Sequence, residues 1–285
     1  GPTPDIPAPD MNSGARERGW IRDAYSSFHG FTPAVVTGKP LELFGSEGRD
    51  EATGRGVVRV LEEALAEDGR TLADVTVAIQ GFGNVGGHAA RLIVEGGGKV
   101  IAVADHSGGV QRSEGLDVGA LLTWNRDHGA VAGFPDADAF PREEIIGWDA
   151  DVLIPAALED AIHADNVDTV RAQFVVEGAN GPTTPEADER LHDRGVHVVP
   201  DILANAGGVT ASYFEWAQNI QQFRWDLDRV RTELDRKMRE AYRAVREFAN
   251  ERGLDLRTAA FALAIRRVGR AALSRRFLRN RISID

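Results

Sequence analysis

The sequence predicts an α/β fold of Rossmann-like type, a mainly parallel sheet with helices on both faces and further helices at the C-terminal end. Three observations lead there. Short apolar runs alternate with amphipathic helical stretches from Asp74 onward. One β-α-β unit of about 30 residues carries a glycine-rich turn between its first strand and its helix. The last sixty or so residues read as helix throughout.

Taken in order, residues 15–28 read as a helix with Trp20, Ala24 and Phe28 on one stripe. A loop rich in Gly and Pro follows, and then a helix over 53–66 with Val57, Val60, Leu61, Ala64 and Leu65 on its apolar face. Val75, Val77 and Ile79 form a strand that ends at Gln80 and runs into Gly81-Phe82-Gly83-Asn84-Val85-Gly86. The helix after it carries Ala89, Ala90, Leu92 and Ile93, and the next strand, 100–104, ends at Asp105. Further strands are predicted at 152–154, 174–176 and 196–199, with helical stretches between them. Leu227, Val230, Leu234, Met238, Ala241, Val245 and Phe248 then recur at helical spacing. The stretch 256–278 is apolar on one side and dense in Arg on the other, a solvated outer face. The expected division is 1–35 as part of a substrate domain, 36–225 as a dinucleotide-binding domain and 226–285 as helices packing back toward the cleft.

Composition limits the functions to consider. A chain of 285 residues with 42% hydrophobic and 27% charged residues has material for a real core. Its net charge of −11 argues against nucleic-acid or anionic-membrane partners, which need clustered cations. Lysine is confined to Lys39, Lys99 and Lys237, with Arg elsewhere. That bias fits either a salty cytoplasm or a GC-rich coding sequence. The absence of Cys excludes disulfides, thiolate metal sites and Cys nucleophiles, and no metal is expected. No apolar run approaches the roughly 20 residues that span a bilayer, and the first residues lack a signal-peptide pattern. The expectation is a soluble cytoplasmic protein.

The glycine turn carries the chemistry. In G-x-G-x-x-G the first Gly allows a tight turn, the second lets backbone approach a pyrophosphate and the third lets helix pack on strand. The following helix N-terminus supplies free N–H groups to the phosphates. The strand before it, the helix after it and Asp105 at the end of the next strand are the context that makes this motif a dinucleotide site. Asp105 is placed to accept bonds from the adenosine ribose and to repel a 2′-phosphate, which favours NAD. His106 and Ser107 both suit a phosphate, so NADP stays open.

Five longer motifs go beyond this pattern. Asp5-Ile6-Pro7-Ala8-Pro9-Asp10, Thr37-Gly38-Lys39-Pro40 and Gly48-Arg49-Asp50-Glu51-Ala52-Thr53-Gly54-Arg55-Gly56 are three of them. The others are Glu177-Gly178-Ala179-Asn180-Gly181-Pro182-Thr183-Thr184 and Pro200-Asp201-Ile202-Leu203-Ala204-Asn205-Ala206-Gly207-Gly208-Val209. Over residues 1–261 the chain resembles the glutamate/leucine/phenylalanine/valine dehydrogenase superfamily, and most of all its archaeal glutamate dehydrogenases. The resemblance implies that Asp10 is the catalytic proton carrier, with Pro9 beside it at the substrate; helix capping is the other reading of Asp10. It further implies cofactor contacts from Thr53, Asn84, Ala156, Ala157, Asn180 and Asn205. Asparagine amides suit a carboxamide because they offer both donor and acceptor, although ordinary loop capping competes for Asn205. Ser212, in Gly207-Gly208-Val209-Thr210-Ala211-Ser212, matches the residue that resembles a reader of the substrate's side-chain carboxylate. The competing reading is a Ser bonded to its own helix.

The resemblance therefore implies oxidative deamination of glutamate to 2-oxoglutarate and ammonia with NAD or NADP, in a homo-oligomer, expected to be a hexamer. Two alternatives stand beside it, a nucleotide-binding module without catalysis and a dehydrogenase of an apolar amino acid. The family's substrate domain, whose lysines hold the substrate carboxylates, has no counterpart among the residues before Asp10. The chain is thus expected to be a C-terminal, cofactor-binding portion with negligible glutamate oxidation by itself.

Overall fold

The computed structural model describes residues 1–9 and 13–274. Asp10 and the arginines at 275, 276, 279 and 281 lie outside the described residues. The elements run α1 (Ala15–His29), α2 (Ala52–Glu67), β1 (Thr76–Gln80), α3 (Asn84–Glu95), β2 (Lys99–Asp105), β3 (Gly108–Gln111) and α4 (Val118–His128). They continue with β4 (Asp138–Phe140), β5 (Val152–Pro155), β6 (Phe174–Val176), α5 (Pro185–Asp193), β7 (His197–Val199), α6 (Asp201–Ala204), α7 (Gly207–Gln221), α8 (Leu227–Arg252) and α9 (Leu256–Ser274).

The strands form one seven-stranded sheet in the order β4-β3-β2-β1-β5-β6-β7. From β2 through β7 across β1 all neighbours are parallel, while β3 and β4 add an antiparallel edge. The expected mainly parallel sheet is therefore present. The antiparallel edge was not expected. Its strands hold three or four residues with two glycines among them, so no apolar run marks them, and they pair because β2 offers an open edge. The ring of Phe140 lies flat over Gly109, where a Cβ would fall 2.5 Å from it.

Alternation along each central strand splits the core in two. Val77, Ile79, Val103, Ile154 and Val176 point to the larger cluster, which α2, α3, α7 and α8 cover. Ala78, Ala104, Leu153 and Val175 point to the other, closed by short helical segments and α5. Burial on both faces is why the parallel strands read as unbroken apolar runs.

The helices correct two readings of periodicity. On α1 the predicted stripe faces outward, with Trp20 60% and Phe28 86% exposed, and the helix docks instead through Arg18 and Gly19. A Cβ at Gly19 would lie 2.9 Å from Leu43, which shows how close that contact is. On α8 the buried stripe runs Val230, Leu234, Met238, Tyr242, Val245 and Ala249. Over 26 residues a repeat of 3.6 shifts the buried face from Ala241 and Phe248 to their neighbours. α9 docks by Leu256, Ala259 and Ala260, and beyond them Phe261, Ile265 and Val268 are exposed together with Arg267 and Arg270.

Arginine has a structural use along the α2–α8 seam. Arg55 forks onto Asp235 with two bonds of 2.7 Å, and Arg231 onto Glu51 at 2.6 and 2.9 Å. Arg243 does the same with Glu63 at 2.7 and 3.0 Å. A planar guanidinium makes such paired bonds and an ammonium does not. No described helix is long and apolar enough to cross a membrane.

Candidate functional site

The chain leaves β1 toward β2, β3 and β4 on one side and returns to β5 on the other, so the strand order reverses between β1 and β5. Ligands of open α/β sheets bind in the crevice beyond the carboxyl ends of the strands at such a point. Gly81 follows β1 there and Ala156 follows β5, joined by the bond from the Ala156 N–H to the Gln80 carbonyl at 2.7 Å.

The three glycines of the turn occupy three different environments. Gly81 has φ +92°, where a side chain would be strained and would also meet the Ala156 carbonyl. Gly86 lies against the Gly81 carbonyl, 1.8 Å from where its Cβ would be, which is the close helix–strand packing expected of the third glycine. Gly83 is exposed, and nothing lies within 4 Å of its missing Cβ. It precedes α3, whose first N–H groups have no partner inside the helix and point to the same space. Asn84 is exposed beside Gly83. Phe82 is different: its side chain is buried and its carbonyl accepts from Asn125 at 3.0 Å, so only its backbone is available to a ligand.

Asp105 ends β2 with a nearly buried side chain. One carboxylate oxygen accepts the Ser107 N–H at 2.7 Å and the other the Val131 N–H at 3.0 Å. The carboxylate is thereby fixed in direction. Ser107 is itself bound to this carboxylate through its hydroxyl, and His106 is exposed.

A cleft of about 990 Å³ opens beside the turn. On the side nearer the glycine turn it is lined by Thr53, Val85, Ala156, Ala157, Asn180 and Asn205. The amide of Asn205 donates to the Asn180 side-chain oxygen at 2.6 Å. That leaves the Asn180 amino group as a donor and the Asn205 carbonyl oxygen as an acceptor, on two residues that line the cleft. The loop holding Asn180 is pinned where the Gly178 and Ala179 N–H groups both donate to the Pro155 carbonyl, at 2.9 and 3.0 Å.

The opposite wall comes from α7 and the N-terminal segments. Ser212 lines the cleft and accepts from Nε of Arg49 at 3.2 Å, rather than bonding its own helix. Burial pushes the Arg49 guanidinium down from its ordinary value, and Glu215 and Asp50 pull the other way. Arg49 is a cleft-lining residue that sequence reasoning did not single out. It stands four residues before Thr53 in a motif already singled out, and only its meeting with α7 reveals it. One turn beyond Ser212, Glu215 is fully buried with Lys39, Nζ to carboxylate 2.6 Å. The same carboxylate accepts the Gly38 and Lys39 N–H groups at 3.0 and 3.3 Å, and Lys39 also donates to the Val36 carbonyl at 2.6 Å. Burial drives the Lys39 pKa down while Glu215 holds it up. Pro9 lines the cleft against Gly38, and the Thr37 N–H donates to the Pro7 carbonyl at 3.0 Å. Lys39 is thus a structural cation closed off from the cleft.

The geometry can be set beside known proteins. The sequence profile of the Glutamate/Leucine/Phenylalanine/Valine dehydrogenase family matches residues 45–276. The chain belongs to this family. A glutamate dehydrogenase of Thermotoga maritima is 52% identical over 277 residues, which cover 96% of this chain and 67% of that protein. Among solved structures, the hetero-hexameric glutamate dehydrogenase of Thermus thermophilus in its Leu-bound form superposes with a TM-score of 0.91 at 42% identity, over 96% of this chain and 65% of that one. The glutamate dehydrogenase of Peptoniphilus asaccharolyticus gives 0.83 at 35% identity, over 96% and 66%. The chain spans about two thirds of the length of these family members.

Proposed function

We propose that this chain is the cofactor-binding portion of an enzyme, an NAD(P)-dependent glutamate dehydrogenase that interconverts L-glutamate with 2-oxoglutarate and ammonia. One observation carries the substrate: Arg49 and Ser212 present a cation and a hydroxyl together, in the same cleft as the paired amides of Asn180 and Asn205. A side-chain carboxylate can accept from both groups, whereas an apolar side chain would desolvate them without offering an acceptor.

The residues divide the work. The turn at Gly83 and the α3 N-terminus receive the pyrophosphate. Asn180 and Asn205 offer a donor and an acceptor to the nicotinamide carboxamide. The bound nicotinamide supplies the hydride chemistry. Asp10, next to Pro9 at the cleft, is assigned the proton to and from the substrate nitrogen, a general acid–base role. The negative charge fixed at Asp105, at the end of β2, favours NAD over NADP, because it would repel a 2′-phosphate. An oligomeric assembly is proposed with it, supported by the hexameric Thermus relative.

The test uses active enzyme containing this chain, supplied with glutamate and each cofactor, with reduced cofactor followed by absorbance. Asp10→Asn is expected to lower kcat by about a hundred- to ten-thousandfold with NADH affinity unchanged. Wild-type protein that binds NADH but turns over no amino acid would support a nucleotide-binding module instead. An Asp10→Asn enzyme with normal kcat would remove Asp10 from the mechanism.

A further inference from the structure

The loop that carries Asn180 and the short helix that leads to Asn205 share one buried support. Glu177 directly follows β6 and its side chain is fully buried. One of its oxygens accepts the Asp201 N–H at 2.8 Å, at the start of α6. Asp201 in turn accepts the Gly181 N–H at 2.8 Å. Residues 177–181 and 201–205 are therefore tied into a closed ring, with Glu177 at its back and the Asn180–Asn205 pair at its front.

Behind this ring stands Arg257, in the first turn of α9. It donates to both oxygens of Glu177, at 2.7 and 3.1 Å, and to both oxygens of Asp188 on α5, at 2.8 and 3.0 Å. Asp201 lies 3.6 Å from the same guanidinium. A buried ion pair is a poor device for stability alone, since apolar residues of similar volume commonly do as well. What it provides here is direction. A guanidinium forked between two carboxylates permits one orientation of each, and Glu177 passes that orientation through the Asp201 N–H to the amides of the cleft. Burial pushes the Glu177 carboxyl upward, and the hydrogen bonds and charge of Arg257 oppose this.

We propose that Arg257 is a positioning residue for the nicotinamide end of the cofactor site. Acting through Glu177, it sets the Asn180–Asn205 pair, and through it α9 governs how the reactive ring is held. The inference rests on the cofactor site proposed above, and it separates the two halves of that site. The pyrophosphate half depends on Gly83 and α3, which Arg257 does not touch. The nicotinamide half depends on the ring that Arg257 closes.

ADP-ribose, which has the adenosine and pyrophosphate but no nicotinamide, tells the halves apart. Affinities for NADH and ADP-ribose are measured on the full chain by fluorescence and calorimetric titration, for wild type, Arg257→Gln, Arg257→Lys and Glu177→Gln. Unfolding midpoints are recorded for each. The expected result is a loss of NADH affinity of about tenfold in Arg257→Gln and Glu177→Gln, with ADP-ribose affinity within about twofold of wild type. Arg257→Lys, which keeps charge but not the fork, is expected to fall between and guards against failure of the Gln variants to fold. Equal losses for both ligands in a folded variant would make Arg257 a structural residue only and overturn the proposal, as would no loss for either. A wild-type chain that binds neither ligand would overturn the cofactor reading itself.

Discussion

The glycine turn beside the cleft works through its backbone, whereas the α7 side of the cleft is built on polar and charged side chains from segments far apart in the chain. Gly81, Gly83 and Gly86 lie within six consecutive residues, and their use follows from the absence of a side chain at each. Arg49 and Ser212 are 163 positions apart, and Lys39 and Glu215 are 176 apart. The turn has no room for a side chain at Gly81 or Gly86 and carries no fixed charge of its own. The α7 side holds fixed charge in a place where an unmatched charge is costly. The proposed cofactor site is thus local and backbone-built, and the part proposed to face the substrate is assembled over long range.

The sharpest way to break this contrast is at the buried pair. Lys39→Met leaves the buried Glu215 without its ion-pair partner, and a loss of about 3–5 kcal/mol in unfolding free energy is expected by urea titration. Adding Glu215→Leu to that variant removes the carboxylate and is expected to recover much of the loss. A single Lys39→Met variant of wild-type stability would show that this wall does not depend on the pair.

Ser212→Ala sharpens the contrast at the substrate. It leaves Arg49 with one partner fewer and removes the hydroxyl, so kcat/KM for glutamate in active enzyme is expected to fall about ten- to a hundredfold. NADH affinity should hold, since Ser212 is on the wall away from the glycine turn. Should both parameters move together, the two walls would not be functionally separate.

The smallest effect is expected from Gly83→Val. The fold has open space at this position and an ordinary φ of −81°, so the unfolding midpoint should stay within a degree or two, about 0.5 kcal/mol. The side chain would fill the space assigned to the pyrophosphate, and NADH affinity should drop about tenfold. Unchanged NADH affinity would place the phosphates elsewhere.

How far the sequence could be read follows the same division. The β1-α3-β2 unit, the positions of the parallel strands and the helix α2 were all legible, because each is encoded by a local period or by glycine spacing; the order of the strands across the sheet was not. Phe82 shows the limit within a motif: its position in the turn suggested a ligand contact, and packing turned its side chain into the core. Trp20 and Phe28 show another limit. Helical spacing reports that an apolar stripe exists and is silent about what covers it, and α1 docks through Arg18 and Gly19. Asn180 and Asn205 were singled out one by one, and only their 2.6 Å bond makes them a unit.

By itself, the sequence determined the fold class, the glycine turn at the end of β1 and the acid at the end of β2, since strand period, helix period and turn chemistry act over a few neighbouring residues. The tertiary structure alone decided that Arg49 meets Ser212, that Lys39 is sealed against Glu215 and that Arg257 reaches Glu177 from α9. Each of these is a charged contact between segments 80 or more residues apart. No local pattern encodes such a contact, because a charged residue that will be buried and paired looks, in sequence, like any other residue of the solvated surface.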